Sequence, residues 1–307
     1  MDSYAHLAPE GPAIDPGAIP DVGFSTNVLN HPRNRHQPPG DVGASVDFLG
    51  RHFRSVEIEI SEDAQAAIFG ATPAGYDRIV EEVRAAASRH GLRLSVHAAW
   101  FGDHTNISAV DPAEREASIA LLRRSLRFAH DVGARPVSFH PGYHEGQPRE
   151  RFIENLERSL DAILPEAEAL GLSMCLENMG DDRPSYIVLD EAEQVDLCRR
   201  TGLRIALDVI HLRSIHEEER AFFGALEELA PHVGNVHIAD MRGASHAHLP
   251  IGDGDYPLTR VLQRLGAHGY RGGAIVEEFV RSREFDVFLE RAQAYREWLG
   301  AQPALTA

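Results

Sequence analysis

Lysine is missing from the chain. All 30 basic residues among its 307 are arginine, which excludes a Schiff-base lysine and the lysine of a phosphate-binding loop. Cysteine is nearly missing. Cys175 and Cys198 are the only two, too few for a disulfide framework or a cysteine-built zinc site. Cys175 falls in an expected strand and reads as a small core residue. Apolar runs are short, and none approaches the length that spans a bilayer. The first 20 residues lack the basic start and apolar middle of a secretion signal. They carry Pro9, Pro12, Pro16 and Pro20, so residues 1–20 are expected to be a disordered or loosely packed tail of a cytoplasmic protein. Positive charge is in deficit as well. A net charge of −17 disfavours a long nucleic-acid footprint and leaves a small-molecule substrate as the expected partner. A homo-oligomer is compatible with these features, and nothing in them requires one.

Regular alternation is what the chain does have. Gly23–Val28 reads as a first strand, followed by a Pro/Asn/Arg-rich loop and a short helix over 41–54. Ser55–Ile60 alternates Val56, Ile58 and Ile60 with Glu57 and Glu59, the period of a pleated strand. Thr72-Pro73 opens a helix that Gly91 stops. Strands are then expected at 92–98, 136–140, 173–178, 204–208, 233–240 and 272–279. Helices separate them at 111–132, 149–170, 190–201, 216–230 and 257–268, and a last one covers 282–299. Eight strand–helix units over about 250 residues predict an α/β fold, a closed (β/α)8 TIM barrel. The barrel is expected over 21–300, with a short tail at 301–307. The rival open sheet lacks its glycine-rich phosphate fingerprint after the first strand.

The strand ends carry the chemistry. Arg204-Ile-Ala-Leu-Asp-Val-Ile-His211 is a buried strand with two metal-type ligands at its end. Asp208 and His211 are three apart, so they converge only if the chain has turned by His211. Other strands end alike, in His97, His140, Glu177, His237 and Glu277. If these six face the barrel axis, Leu94, Val96, Val137, Phe139, Met174, Leu176, Ile205, Leu207, Val236, Ile238, Ala274 and Val276 must face the helices, and all are apolar. Polar and ionisable groups are costly inside a barrel unless paired or metal-bound. Three carboxylates among three imidazoles suit a hard-to-borderline divalent cation. Glu57, Arg93 and Arg204 lie lower on the same faces and are expected to form a buried ion network. Glu59, one step above Glu57, is a candidate substrate contact. Trp100, Phe101 and Tyr143 follow two of the ligand-bearing strands and either wall a pocket or pack the upper loops.

Seven segments carry a family resemblance. Ser95-Val-His97-Ala, Phe139-His140-Pro-Gly142, Leu176-Glu177-Asn178, Leu207-Asp208-Val-Ile-His211, Val236-His237-Ile-Ala-Asp240, His248-Leu-Pro-Ile-Gly252-Asp-Gly254 and Gly272-Gly-Ala-Ile-Val-Glu277 together resemble the xylose-isomerase-like TIM-barrel superfamily. It contains sugar phosphate isomerases and epimerases, and endonuclease IV-type nucleases. Resemblance to the epimerase branch implies one divalent metal on Glu177, Asp208, His237 and Glu277. Glu177 and Glu277 would be the catalytic acid and base of an enediolate mechanism, with His211 on a substrate oxygen and Arg242 as the substrate-binding arginine. A second glutamate frequent in that branch is replaced here by Arg183. Resemblance to the nuclease branch implies additional metal positions at His97 and His140 with Glu177, and at His211 and His248. The remaining ligand of that last position, an aspartate in the nucleases, is His246.

Three functions follow as expectations. The first is isomerisation or epimerisation of a small sugar, polyol or sugar acid. The second is metal-dependent phosphodiester cleavage, although Arg33 and Arg35 read as a solvated face or a substrate-phosphate contact and not as a groove-entering loop. The third is oxidative chemistry on two or three irons. The cofactor expected in every case is a divalent metal, one to three ions of Mn, Mg, Co, Zn or Fe.

Overall fold

Strand and helix alternate along the chain because apolar residues alternate at period two in one and three to four in the other. The structure, a computed structural model, describes residues 19–27, 41–100, 104–180, 185–243, 248–277 and 285–301. In order these form β1 (Asp21–Ser25), α1 (Val42–Gly50), β2 (Ser55–Glu59), α2 (Glu62–Phe69), α3 (Pro73–His90), β3 (Arg93–His97), α4 (Pro112–Val132) and β4 (Pro136–Phe139). They continue as α5 (Arg149–Ala169), β5 (Ser173–Glu177), α6 (Glu191–Thr201), β6 (Arg204–Asp208), α7 (Val209–Ile215), α8 (Glu219–Leu229) and β7 (Val233–Ile238). The last are α9 (Leu258–Ala267), β8 (Gly273–Val276) and α10 (Phe285–Gly300). The eight strands are parallel and close into a barrel in sequence order, with β1 hydrogen-bonded to β8. The expected (β/α)8 architecture is therefore the observed one. The expected tails except Ile19, Pro20 and Ala301, the loop carrying Arg33 and Arg35, and Phe101, Arg183 and His246 lie outside the described residues. No helix among the described residues is long and apolar enough to cross a membrane.

Local chemistry sets the helix starts. Thr72 accepts the Gly75 N–H at 3.2 Å ahead of α3. Asp190 and Glu193 form a reciprocal capping box at α6, each satisfying an N–H that the first turn leaves without a partner. The twelve apolar strand positions expected to face the helices all belong to one buried core between barrel and helices. Each fully buried Leu, Ile or Val there contributes about 1.5–3 kcal/mol.

Two short helices are additional to those expected, and one expectation fails. The helix expected over 216–230 is α8, and α7 over Val209–Ile215 is an additional one that the sequence does not announce, because Asp208 caps a new helix immediately after β6. The short helix α2 was not anticipated; its eight residues are too few for a clear period. The buried network expected of Glu57, Arg93 and Arg204 does not form among the described residues, and Arg93 pairs instead with Asp21 at 3.7 Å. Arg93 leans to the outside, on Ser55 Oγ at 3.1 Å and the Arg271 carbonyl, and Arg204 bonds the Pro231 and Val233 carbonyls. Guanidinium groups reach solvent along their stems, so both leave Glu57 behind, inside.

Strand β7 holds one residue more than its neighbour. Ile205 pairs with Val233, but Ala206 pairs with Asn235. The extra residue is Gly234, where a Cβ would lie 2.6 Å from the Arg204 Cβ and 2.8 Å from the Cys175 sulfur.

Candidate active site

The polar strand ends meet at the C-terminal mouth of the barrel. His97 and Glu177 are the last residues of β3 and β5, Asp208 is the last of β6, and His140 and Glu277 directly follow β4 and β8. His237 stands within β7 beside Asp208. Four of them, Glu177, Asp208, His237 and Glu277, bring one donor atom each within 4.8 Å of one another. Three smaller groups meet the same limit: His97, His140 and Glu177; His97, His237 and Glu277; and Asp208, His211 and His248. The six positions predicted to converge do converge, and His211 and His248 join them.

Glu177 is the hub. Its Oε2 lies 3.0 Å from His97 Nε2 and 3.3 Å from His140 Nε2, and its Oε1 lies 3.2 Å from His211 Nδ1. Burial alone would raise the carboxyl pKa, but the His140, His211 and His97 imidazoles hold it well below the usual range. The reverse applies to the rings. Burial opposes charge on His97, yet Glu177, Glu277 and Glu59 push its pKa up to about 10. His211 rises to about 9 in the same way, against its burial and through Asp208, Glu177 and Glu277. His140 goes down, because burial and the His97 and His211 charges outweigh Glu177. The cage thus draws positive charge towards its carboxylates.

A divalent cation fits these residues. His237 Nδ1 and Glu277 Oε2 are fully buried and lie 2.7 Å apart, yet neither has an aligned hydrogen-bond partner among the described residues. Two buried polar atoms this close with no aligned bond are an expensive arrangement unless both aim at a common third atom. Mixed oxygen and nitrogen donors at this spacing match the first coordination shell of Zn, Mn, Fe or Co.

The backbone around the cage is tied down. Asp208 Oδ1 accepts the N–H groups of Ile210 and His211 at 2.7 and 2.8 Å. Asn178 joins β5 to β6: its side chain donates to the Asp208 carbonyl and accepts the Asp208 N–H, at 3.0 and 2.8 Å. The Asn178 carbonyl also meets His211 Nδ1 at 2.9 Å. Asp240, fully buried, accepts backbone N–H groups of Met241, Gly252 and Gly254 at 2.8–3.0 Å. A Cβ on Gly254 would lie 2.2 Å from the Asp240 oxygen, so the glycine permits the approach. Asp240 and Leu249 exchange backbone bonds at 2.9 and 2.8 Å, which sets His248 with Nδ1 2.9 Å from the Glu277 carbonyl.

The other candidates divide. Trp100 is buried beside His97 and His140, with ring centroids 6.2 and 5.3 Å away, and donates Nε1–H to Glu59 at 2.8 Å. Glu59 also accepts from Ser25 at 3.1 Å; it is fully buried behind the indole. Burial, then the Glu277 charge, pushes its pKa up to about 8 against the pull of His97 and Trp100. Arg242 is exposed at the rim, bonding the Asp253 carbonyl of its own loop, and does not join the cage. Tyr143 stacks on Tyr186 at 5.2 Å, and Tyr186 meets His140 edge-on at 6.1 Å. The roles of Asn178, Asp240 and Tyr186 were missed. Asn178 and Asp240 stood inside quoted motifs, whereas Tyr186 gave no signal.

Known proteins share this architecture. A family model described as xylose isomerase-like TIM barrel matches residues 49–301. D-psicose 3-epimerase of Ruminiclostridium cellulolyticum is 26% identical over 211 residues, 66% of this chain and 69% of that one. A probable endonuclease 4 of Streptomyces avermitilis is 28% identical over 267 residues, 73% of this chain and 83% of that one. The crystal structure of D-psicose 3-epimerase with D-tagatose from Clostridium cellulolyticum superposes with a TM-score of 0.71 at 19% identity, covering 91% of this chain and 98% of the other. With a closed eight-stranded barrel and a family match over most of its length, the chain belongs to the xylose isomerase-like TIM barrel family.

Proposed function

We propose that the protein is a divalent-metal-dependent isomerase or epimerase of a small sugar, polyol or sugar acid. The observation that carries this reading is the four-residue group of Glu177, Asp208, His237 and Glu277 at the barrel mouth. Similarity to a D-psicose 3-epimerase supports it. A divalent cation held there supplies Lewis acidity towards neighbouring oxygens of a hydroxy-ketone and makes the adjacent C–H easier to ionise. The chain's own residues do the rest. Glu177 and Glu277 enter from β5 and β8, three strands apart around the closed ring, so they flank whatever lies between them. One carboxylate takes the proton from carbon, an enediolate forms, and the other carboxyl group returns a proton to the opposite face or to the neighbouring carbon. Glu177, held ionised by its three imidazoles, is suited to accept. His211, fixed through Nδ1 to the Asn178 carbonyl, contacts a substrate oxygen. Trp100 offers an aromatic face to the sugar's C–H surface.

The test is twofold. Purified protein should hold one Mn, Mg or Co per chain. In deuterated water it should place deuterium on the carbon next to the carbonyl of at least one ketose from a panel. A metal-loaded protein that exchanges no carbon-bound proton in any of them refutes the reading.

The two groups that contain His140 and His248 favour a second reading, a multinuclear phosphodiesterase, supported by similarity to a probable endonuclease 4. Two or three zinc ions per chain with cleavage of an abasic oligonucleotide would establish it. Two or three irons with oxygen uptake would point to oxidative chemistry instead.

A further inference from the structure

Glu57 belongs to none of the four donor groups, yet it is fully buried inside the barrel beneath them. Interior barrel positions are commonly filled by branched aliphatics, and an isolated carboxylate there is costly. Its surroundings account for it. Glu57 Oε1 lies 2.8 Å from His237 Nε2, and no aligned hydrogen bond from the described residues occupies that oxygen. Glu57 Oε2 accepts from the Asn235 amide, which also reaches Ser138 Oγ at 2.8 Å and lies further, 3.3 Å, from His237 Nε2. One carboxylate oxygen is therefore held by the floor of the barrel, and the other is presented to the lower edge of the His237 ring. The upper edge of the same ring, Nδ1, faces Glu277 Oε2 at 2.7 Å and Glu177 Oε2 at 3.8 Å.

We propose that Glu57 is the positioning residue for His237: its charge, 2.8 Å away, holds the proton on Nε2, fixes the tautomer, and so commits Nδ1 to a divalent cation. Asn235 and Ser138 keep Glu57 from turning away. The inference rests on the metal site of the proposed function but concerns a residue outside it. A carboxylate behind a ligating imidazole orients the ring and increases its donor strength. Burial and the loss of Arg93 and Arg204 to the outside leave Glu57 the anion nearest to Nε2 among the described residues.

The experiment uses the full chain and Co2+ alone as probe, with affinity measured by chelator competition and geometry by the visible absorption of bound Co2+. Wild type, Glu57→Gln, Glu57→Ala and Asp208→Asn are compared, after circular dichroism has established that each is folded. Glu57→Ala should bind Co2+ about 10–100-fold more weakly, as outer carboxylates behind ligands generally do, and its Co2+ spectrum should change. Glu57→Gln, which keeps an acceptor oxygen but not the charge, should recover part of the loss. Selective 15N-histidine spectra of the protein loaded with diamagnetic Zn2+ should show a protonated Nε2 and a cation-shifted Nδ1 for His237 in wild type and a mixture in Glu57→Ala. If Glu57→Ala binds within twofold of wild type with an unaltered spectrum, the positioning role is overturned while the metal site stands. If wild type binds no Co2+, or Asp208→Asn binds it equally well, the metal site itself fails and this inference with it. Should Glu57→Ala not fold, Glu57→Gln decides: a wild-type affinity and spectrum there overturn the role of its charge.

Discussion

Asp208 and His211 are three residues apart and on the same side of the cage, because Asp208 Oδ1 accepts the His211 N–H at 2.8 Å and turns the strand into a helix between them. One oxygen of Asp208 is a helix cap and the other faces the donors, with Oδ2 3.9 Å from His211 Nδ1. The two tasks are separable by substitution. Asp208→Asn keeps a capping oxygen and loses the anionic donor. It should lose its metal by elemental analysis while unfolding within about 1 kcal/mol of the cation-free wild type. Asp208→Ala should lose the metal and about 1 kcal/mol more in denaturant melts.

Glu277→Gln removes a proton-transfer group without changing its shape. Turnover and deuterium exchange should fall by about 10²–10⁴, with circular dichroism unchanged. Exchange at the wild-type rate would remove Glu277 from the mechanism.

His97 and His140 distinguish a single ion from several. In the isomerase reading, the double variant His97→Ala/His140→Ala keeps one metal equivalent and handles substrate poorly, since Glu177 has lost two of its three imidazole neighbours. Loss of a whole equivalent by elemental analysis would favour the multinuclear reading.

Acid stability has a contribution far from the site. Asp47 on α1 bonds Arg51 at 2.7 Å, contacts Arg89, and meets His90 Nε2 at 2.9 Å, tying α1 to the end of α3. The Arg51 bond, helped by His90 and Arg89 against partial burial, lowers its pKa from 3.8 to about 2. A carboxyl depressed on folding stabilises above its unfolded pKa, and that stabilisation is lost as pH falls through the folded one. Asp47→Asn should therefore be less stable by about 0.2–1 kcal/mol at pH 7. The difference should close between pH 4 and pH 2 in urea titrations; a gap constant with pH would contradict the assignment.

The architecture was legible because strand residues facing the helices are apolar without exception from Leu94 to Val276, and that leaves the polar faces only the axis. The convergence of His97, His140, Glu177, Asp208, His237 and Glu277 followed from the same parity. What the sequence left out are two helices too short to leave a period, α2 and α7. The fate of Arg93 and Arg204 was equally hidden, since parity gives the face of the backbone and not the end of a long side chain. The link from Glu57 to His237 spans 180 positions of sequence by simple subtraction and exists only once β2 and β7 face each other across the barrel.

The additional residue at Gly234 has a consequence for the whole cage. Side chains on a strand change face with every step, and Val233 pairs with Ile205, which faces the helices. Counting on from Val233 with Gly234 as an ordinary strand residue, His237 and Asn235 would project among the helices and Val236 would project into the axis. The bulge restores their phase. The address of an imidazole at the centre of the barrel is thus written as a parity, and drawing Gly234 back into the regular ladder would erase it.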